Sequence, residues 1–240
     1  MPITNKQPAA LGFRLPDRLP ANVKDMDPET FAELRRIAEA LPEVPGVGAV
    51  EIAHGEIIMM MSPVARHELA VIRLSGQLNA QLPATHPGFV AYGGADISDP
   101  ALGRLRRPDI MVFDESALEA DVSALRPDQV LLVVEVVSRS NPENDYEEKV
   151  TDYKAMGIPH YLIIDPRFGT GAIHFLPNYR DPVKFVFGDT VTVGPWTLDT
   201  SVLKTYGQRT EPAHERSTPQ SAPSASHTAA RSVSAARPAW

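Results

Sequence analysis

The sequence predicts an α/β domain in which helices flank a sheet and an added β-meander follows on the C-terminal side. Three observations carry this prediction. The run Leu131-Leu132-Val133-Val134-Glu135-Val136-Val137-Ser138 reads as a strand buried on both faces. Segments with apolar residues at helical spacing precede and follow it. Residues 172–198 alternate short strand-like pieces such as Lys184-Phe185-Val186-Phe187 with Gly-Asp and Gly-Pro turns.

Asp27-Pro28 opens the first helix, with Asp as the cap and Pro at the first helical position, and Phe31, Leu34, Ile37, Ala38 and Leu41 form its apolar stripe up to Pro42. Strands over 50–53 and 57–61 flank His54-Gly55, a tight-hairpin pair. Ser62-Pro63 starts the next helix, in which Leu69, Ile72, Leu78 and Leu82 recur at helical spacing and His67 lies in the first turn. Three strands follow over 89–97, 109–113 and 130–137, then a helix over 144–156 that ends at Gly157, then a strand over 161–164. Residues 1–26 read as a proline-rich arm, 27–207 as the folded domain, and 208–240, composed of Ser, Ala, Pro, Thr and Arg, as a disordered tail.

Composition narrows the chemistry. The 240 residues are 43% hydrophobic and suit one soluble domain with a sizeable core. With no cysteine, disulfides and thiolate metal sites are excluded, so a metal would take oxygen or imidazole ligands, which favours magnesium or manganese. No apolar run reaches about 18 residues and no leader-like segment opens the chain, so a cytoplasmic protein without a membrane anchor is expected. The formal charge of -7 argues against a broad nucleic-acid-coating surface, though not against a local site where a metal and a few cations meet phosphate.

Glu135 is the residue that most needs explaining, because an ionised carboxylate in an apolar strand costs several kcal/mol unless a cation meets it. A second acid in similar company, Asp109 in Pro108-Asp109-Ile110-Met111-Val112-Phe113, suggests a divalent ion held between neighbouring strands. Hydrolysis of a phosphodiester needs an activated water and neutralisation of charge on the phosphoryl oxygens and the leaving group, and carboxylate-held Mg²⁺ serves these needs. Lys149 is the candidate ammonium beside it. Asp145, Lys149 and Asp152 fall at i, i+4 and i+7 with Tyr153 adjacent, so one helical face bears them. More ordinary readings stand beside these: Glu135 paired with Arg107, Asp109 capping a loop, Lys149 in a solvated pair with Asp145, and His67 in a packing role. Glu51 and Glu56 read as hairpin acids, with a lesser reading in which one of them reaches the metal site, and His160 and His174 as structural.

These residues resemble the Uma-two family of restriction-endonuclease-like proteins, a branch of the PD-(D/E)XK nuclease superfamily. The markers are Glu51-Ile52-Ala53-His54-Gly55-Glu56, Ser62-Pro63 with His67, Pro108-Asp109, Glu135-Val136-Val137-Ser138, Asp145, Lys149, Tyr153, Gly157-Ile158, and Tyr161 through Asp165-Pro166. The resemblance implies a restriction-endonuclease-like core, a central mixed sheet flanked by helices, with Asp109 and Glu135 as metal ligands. The superfamily lysine two residues after the Glu is absent here, where Val137 stands, and the resemblance assigns that cation to Lys149.

The expectation is then a Mg²⁺-dependent (or Mn²⁺-dependent) DNA endonuclease with Asp109, Glu135 and Lys149 as catalytic residues and His67, Asp145 and Tyr153 in support, acting as a homodimer where both strands are cut. The alternatives are a non-catalytic nucleic-acid-binding or regulatory module on the same fold, and a hydrolase of a small phosphorylated molecule. A nuclease should ring the acid pair with Arg104, Arg106, Arg107 and Arg139.

Overall fold

The computed structural model describes residues 26–119, 122–139 and 143–207, and those up to Tyr206 belong to one compact unit. The expected arm, apart from Met26, and the expected tail lie outside the described residues. Helix α1 (Pro28–Glu39) begins as anticipated, with the Asp27 side chain accepting from the Thr30 N–H. Strands β1 (Val47–Ala53) and β2 (Glu56–Met61) form the hairpin, and helix α2 (Ala65–Thr85) follows. Next come β3 (Phe89–Tyr92), β4 (Ile97–Asp99), β5 (Arg104–Arg106), β6 (Ile110–Asp114) and β7 (Val130–Val136). A π-helical turn (Asn144–Glu148) leads into α3 (Lys149–Ala155), and the chain continues through β8 (His160–Asp165), β9 (Thr170–Phe175), β10 (Val183–Val186), β11 (Thr190–Val193) and β12 (Trp196–Asp199).

The central sheet runs in the order β10-β9-β8-β7-β6-β3 and is mixed, because β7 and β8 pair in parallel while the other neighbours are antiparallel. A parallel pair needs a crossover, and the π turn with α3 provides it. Strand parity then sorts the core. Ile110, Val112, Leu132, Val134, Val136, Leu162 and Ile164 face α2, packing on Ala70, Leu74, Leu78 and Leu82. Met111, Val133, Val137, Tyr161 and Ile163 face the other side with Tyr153, Met156 and Ile158. Glu135 shares the parity of Val133 and Val137 and therefore lies on the α3 side.

A second sheet, in the order β2-β1-β5-β4, packs through Ile52 and Leu105 against Met26, Phe31 and Leu34. The hairpin β11-β12 is held to α2 by Trp196 Nε1 donating to Thr85 Oγ1 and by backbone bonds to Gln77 and Gln81.

Four expectations need correction. The strand anticipated over 89–97 is two strands broken at Gly93-Gly94, where Gly94 takes a left-handed φ of 95° and Gly93 approaches the Asp109 carbonyl too closely for a Cβ. Arg104–Arg106 is a strand, although its alternation of two arginines around one leucine gave no apolar signal. Ile72 faces outward, and the buried face of α2 is His67, Ala70, Leu74, Leu78 and Leu82. Of the anticipated meander, β9 and β10 extend the central sheet and β11-β12 alone stands apart. Because Leu78 is fully buried between α2 and the sheet, Leu78→Ala should cost about 2–5 kcal/mol of unfolding free energy in denaturant titration.

Candidate active site

The site begins where β6 and β7 open. Ile110 pairs with Val134 across these strands, so Asp109, one residue earlier, and Glu135, one residue later, meet at the end of the ladder. Asp109 precedes the strand rather than lying within it and keeps 23% of its side-chain surface exposed. Its Oδ2 accepts from the Val136 N–H at 2.7 Å and lies 3.1 Å from His67 Nε2. The contact with His67 ties the first turn of α2 to this corner.

Glu135 is buried, and its Oε1 lies 2.8 Å from Lys149 Nζ and accepts from the Tyr153 hydroxyl at 2.6 Å. Lys149 is itself 2% exposed, and its ammonium also lies 3.3 Å from Asp145 Oδ1 and 3.6 Å from Glu51 Oε1. The partner anticipated for Glu135 was a divalent ion. In the structure an ammonium holds that place, so the buried carboxylate alone does not demand a metal. The wide π turn carries Asp145 and leads into Lys149, and such turns recur at functional sites.

Behind this group stands a buried ion network whose members the sequence reading assigned elsewhere or did not weigh. Glu51 Oε2 accepts from Arg106 at 2.8 Å, and Glu51 Oε1 accepts from the Arg107 N–H at 3.1 Å. Arg106, fully buried, also donates through Nε to Asp152 Oδ2 at 3.0 Å, and Arg104 Nε donates to Asp152 Oδ1 at 2.7 Å. Glu51 thus belongs to the site rather than to a solvated hairpin. The signal for it was its position between the apolar residues of β1, where an exposed acid is out of place.

The expected arginine ring is corrected accordingly. Arg104 and Arg106 are consumed inside the protein, while Arg107, paired with Asp96 at 2.6 Å, and Arg139, whose guanidinium sits 5.0 Å from the Tyr206 ring centre, line the cleft. His160 and His174 lie apart, the first against Trp196 and the second bonded to the Tyr179 carbonyl.

The electrostatics follow from crowding. Five carboxylates (Glu51, Glu135, Asp145, Glu148 and Asp152) pair with three cations (Arg104, Arg106 and Lys149), and the charge of Asp109 adds to the field at Lys149. Burial, together with the charges of Asp109, Asp145 and Glu51, holds Glu135 well above the usual carboxylate range despite Lys149. Burial likewise pushes Asp145 up. Glu51 also feels its burial, but Lys149 and Arg106 outweigh it and hold its carboxyl below the ordinary value. Burial would lower Lys149, yet Glu135, Glu51 and Asp145 overcome it and raise its pKa, so the ammonium is retained. His67 is raised in the same way, its bond and proximity to Asp109 exceeding its desolvation.

Asp109, Glu135, Asp145, Lys149 and His67 line one cleft of about 940 Å³. Among the described residues, no group of three or more His, Cys, Asp or Glu side chains makes a ready-formed metal cage. Two carboxylates opening on a cleft instead fit the habit of magnesium, which takes one or two protein carboxylates and keeps several waters.

The family comparison coincides with this geometry. The Uma2 family, described as "Putative restriction endonuclease", matches residues 33–201. The chain belongs to the Uma2 family. The Uma2 match spans every residue of the cluster, from Glu51 to Tyr153, and the α/β fold with a central mixed sheet is the one anticipated. A crystal structure from Anabaena variabilis, described as "a putative nuclease belonging to DUF820", is 17% identical with a TM-score of 0.53, covering 71% of this chain and 92% of that one. At that identity the likeness concerns the fold. No curated protein matches the chain.

Because the folded pKa of Glu135 is raised, its contribution to stability is present below the ordinary carboxylate value and is lost as pH rises through the folded value. In metal-free protein, Glu135→Gln should therefore flatten the fall of unfolding free energy as pH rises above the ordinary carboxylate range. Identical slopes in chemical denaturation would mean that Glu135 ionises as an ordinary carboxylate.

Proposed function

We propose that this Uma2 protein is a Mg²⁺-dependent DNA endonuclease, with Mn²⁺ as an alternative ion, that hydrolyses phosphodiester bonds through Asp109, Glu135 and Lys149. The observation that carries the reading is the buried Lys149 ammonium set between Glu135 and Asp145 on a cleft that Asp109 also lines. The family description supports a nuclease. The reading carries with it a cytoplasmic protein and, where both strands are cut, a homodimer that brings two sites together. Among the described residues, no helix is long and apolar enough to cross a membrane.

Each acid spends one oxygen inside the protein, Glu135 Oε1 on Lys149 and Tyr153, and Asp109 Oδ2 on Val136 and His67. The second oxygen of each would hold the divalent ion, which when bound supplies a more acidic water and neutralises phosphoryl charge. Lys149 keeps its proton, so it acts as a donor and cation that orients the water and offsets charge on the phosphate, not as the base. Tyr153 also keeps its proton, because burial and the adjacent Glu135 push its pKa far up, and it fixes the Glu135 carboxylate. Asp145 holds the Lys149 ammonium from within the π turn, and His67 braces Asp109 from α2.

A second reading is a non-catalytic nucleic-acid-binding or regulatory module. The observation that favours it is the withdrawal of Arg104 and Arg106 into the interior, which leaves the cleft fewer cations for phosphate.

Purified protein should nick DNA with Mg²⁺ or Mn²⁺. Lys149→Arg should stay folded yet cut about 100-fold more slowly, since a planar guanidinium cannot occupy the point-charge position of the ammonium. Lys149→Ala should lose activity and also stability, by about 3–5 kcal/mol, because the buried acids then lack their cation. Glu135→Gln should remain folded and lose Mg²⁺ affinity in calorimetry. Undiminished cleavage by both lysine variants would exclude Lys149 from the chemistry, and a wild-type protein that cuts no nucleic acid would favour the second reading.

A further inference from the structure

The wall facing the acids is apolar without a folding reason to be so. Met61 at the end of β2, Val64 before α2, Ile72 on α2 and Tyr92 at the end of β3 each keep between 51% and 66% of their surface exposed. All four line the same cleft as Asp109, Glu135 and Lys149. Large apolar side chains clustered on one exposed wall mark a binding surface rather than a stabilising one. From the cap residue Val64, the spacing of Glu68, Ile72 and Ser75 sets one helical face along the cleft, beside the face that packs on the sheet.

We propose that this cleft takes an unpaired strand of DNA, with its bases lying on the wall of Tyr92, Ile72, Met61 and Val64 and its phosphates toward Arg107 and Arg139. The inference rests on the reading of the acid cluster as a phosphodiesterase site and specifies its substrate. An intact duplex hides its base faces in the stack and presents two rows of phosphate. A single strand offers one row of phosphate and free aromatic faces, which pair with apolar and aromatic side chains in a sequence-tolerant way.

The charges in the cleft agree with the single strand. Arg107 and Arg139 line it, Arg104 and Arg106 are buried in ion pairs, and Glu68 on the α2 wall would repel a second phosphate row. The apolar wall is continuous with the acid cluster, so a strand whose bases rest on it passes the reacting groups.

The test is fluorescence anisotropy with fluorescein-labelled oligonucleotides, single-stranded and duplex of the same sequence, at one salt concentration and without divalent metal. The full-length protein should bind the single strand about 10-fold or more tightly than the duplex. Tyr92→Ala and Ile72→Ser should each weaken single-strand binding by about 10-fold, while Tyr92→Phe, which keeps the ring, should bind like wild type. Equal or tighter duplex binding, or unchanged binding by Tyr92→Ala and Ile72→Ser, would overturn the proposal.

Cleavage of both substrates with Mg²⁺ separates this inference from the endonuclease reading. Selective single-strand binding without cleavage keeps the inference and removes the activity. Metal-dependent cleavage of duplex and single strand at equal rates keeps the activity and removes the inference.

Discussion

The Lys149 ammonium is the point on which the cluster turns, since Glu135, Asp145 and Glu51 all converge on it in the interior. Without that charge, Glu135 and Asp145 would lose their cation, and Glu51 would keep only Arg106. With it, Glu51 ionises readily, while Glu135 is still held above the ordinary carboxylate range by its burial and by its acidic neighbours. One ammonium therefore organises the cluster without fully neutralising it. The remaining negative charge is what the proposed divalent ion would meet.

That arrangement depends on elements far apart in the chain. The hairpin supplies Glu51, β5 supplies Arg106, the end of β7 supplies Glu135, and the crossover between the parallel strands supplies Asp145, Lys149, Asp152 and Tyr153. Asp152 anchors Arg104 and Arg106, Arg106 anchors Glu51, and Glu51 reaches Lys149. Paired buried charges of this kind contribute little net stability, but removing one member leaves the rest uncompensated. Their value here is positional, because they hold a flexible lysine stem in one place.

The parts of this account that were legible in the sequence are those written in local patterns. A single acid in a Val-rich strand marks Glu135, and the i, i+4 spacing brings Asp145 to Lys149. His54-Gly55 marks the hairpin, with His54 at φ 54° and Gly55 at φ 78°. What was not legible is long-range pairing. Arg104 and Arg106 look like phosphate-binding surface cations until Asp152 and Glu51 are seen to claim them. The strand over 89–97 looked continuous because neither the left-handed φ of Gly94 nor the approach of Gly93 to the Asp109 backbone, 16 residues further along the chain, is written in the local apolar pattern. Ile72 fits a helical stripe by spacing, but α2 turns a different face to the sheet, and the cleft takes the side where Ile72 stands.

The central proposal is that Glu135, held above the ordinary carboxylate range by its burial and its acidic neighbours, serves a divalent ion as ligand. Titration calorimetry of Mn²⁺ binding across a pH series, repeated in buffers of different ionisation enthalpy, measures both the affinity and any proton released on binding. Mn²⁺ binding should tighten as pH rises, release protons toward the acid end of the series, and lose most of its affinity and its proton release in Glu135→Gln. Binding whose enthalpy is the same in every buffer, with equal affinity in the Glu135→Gln protein, would contradict it.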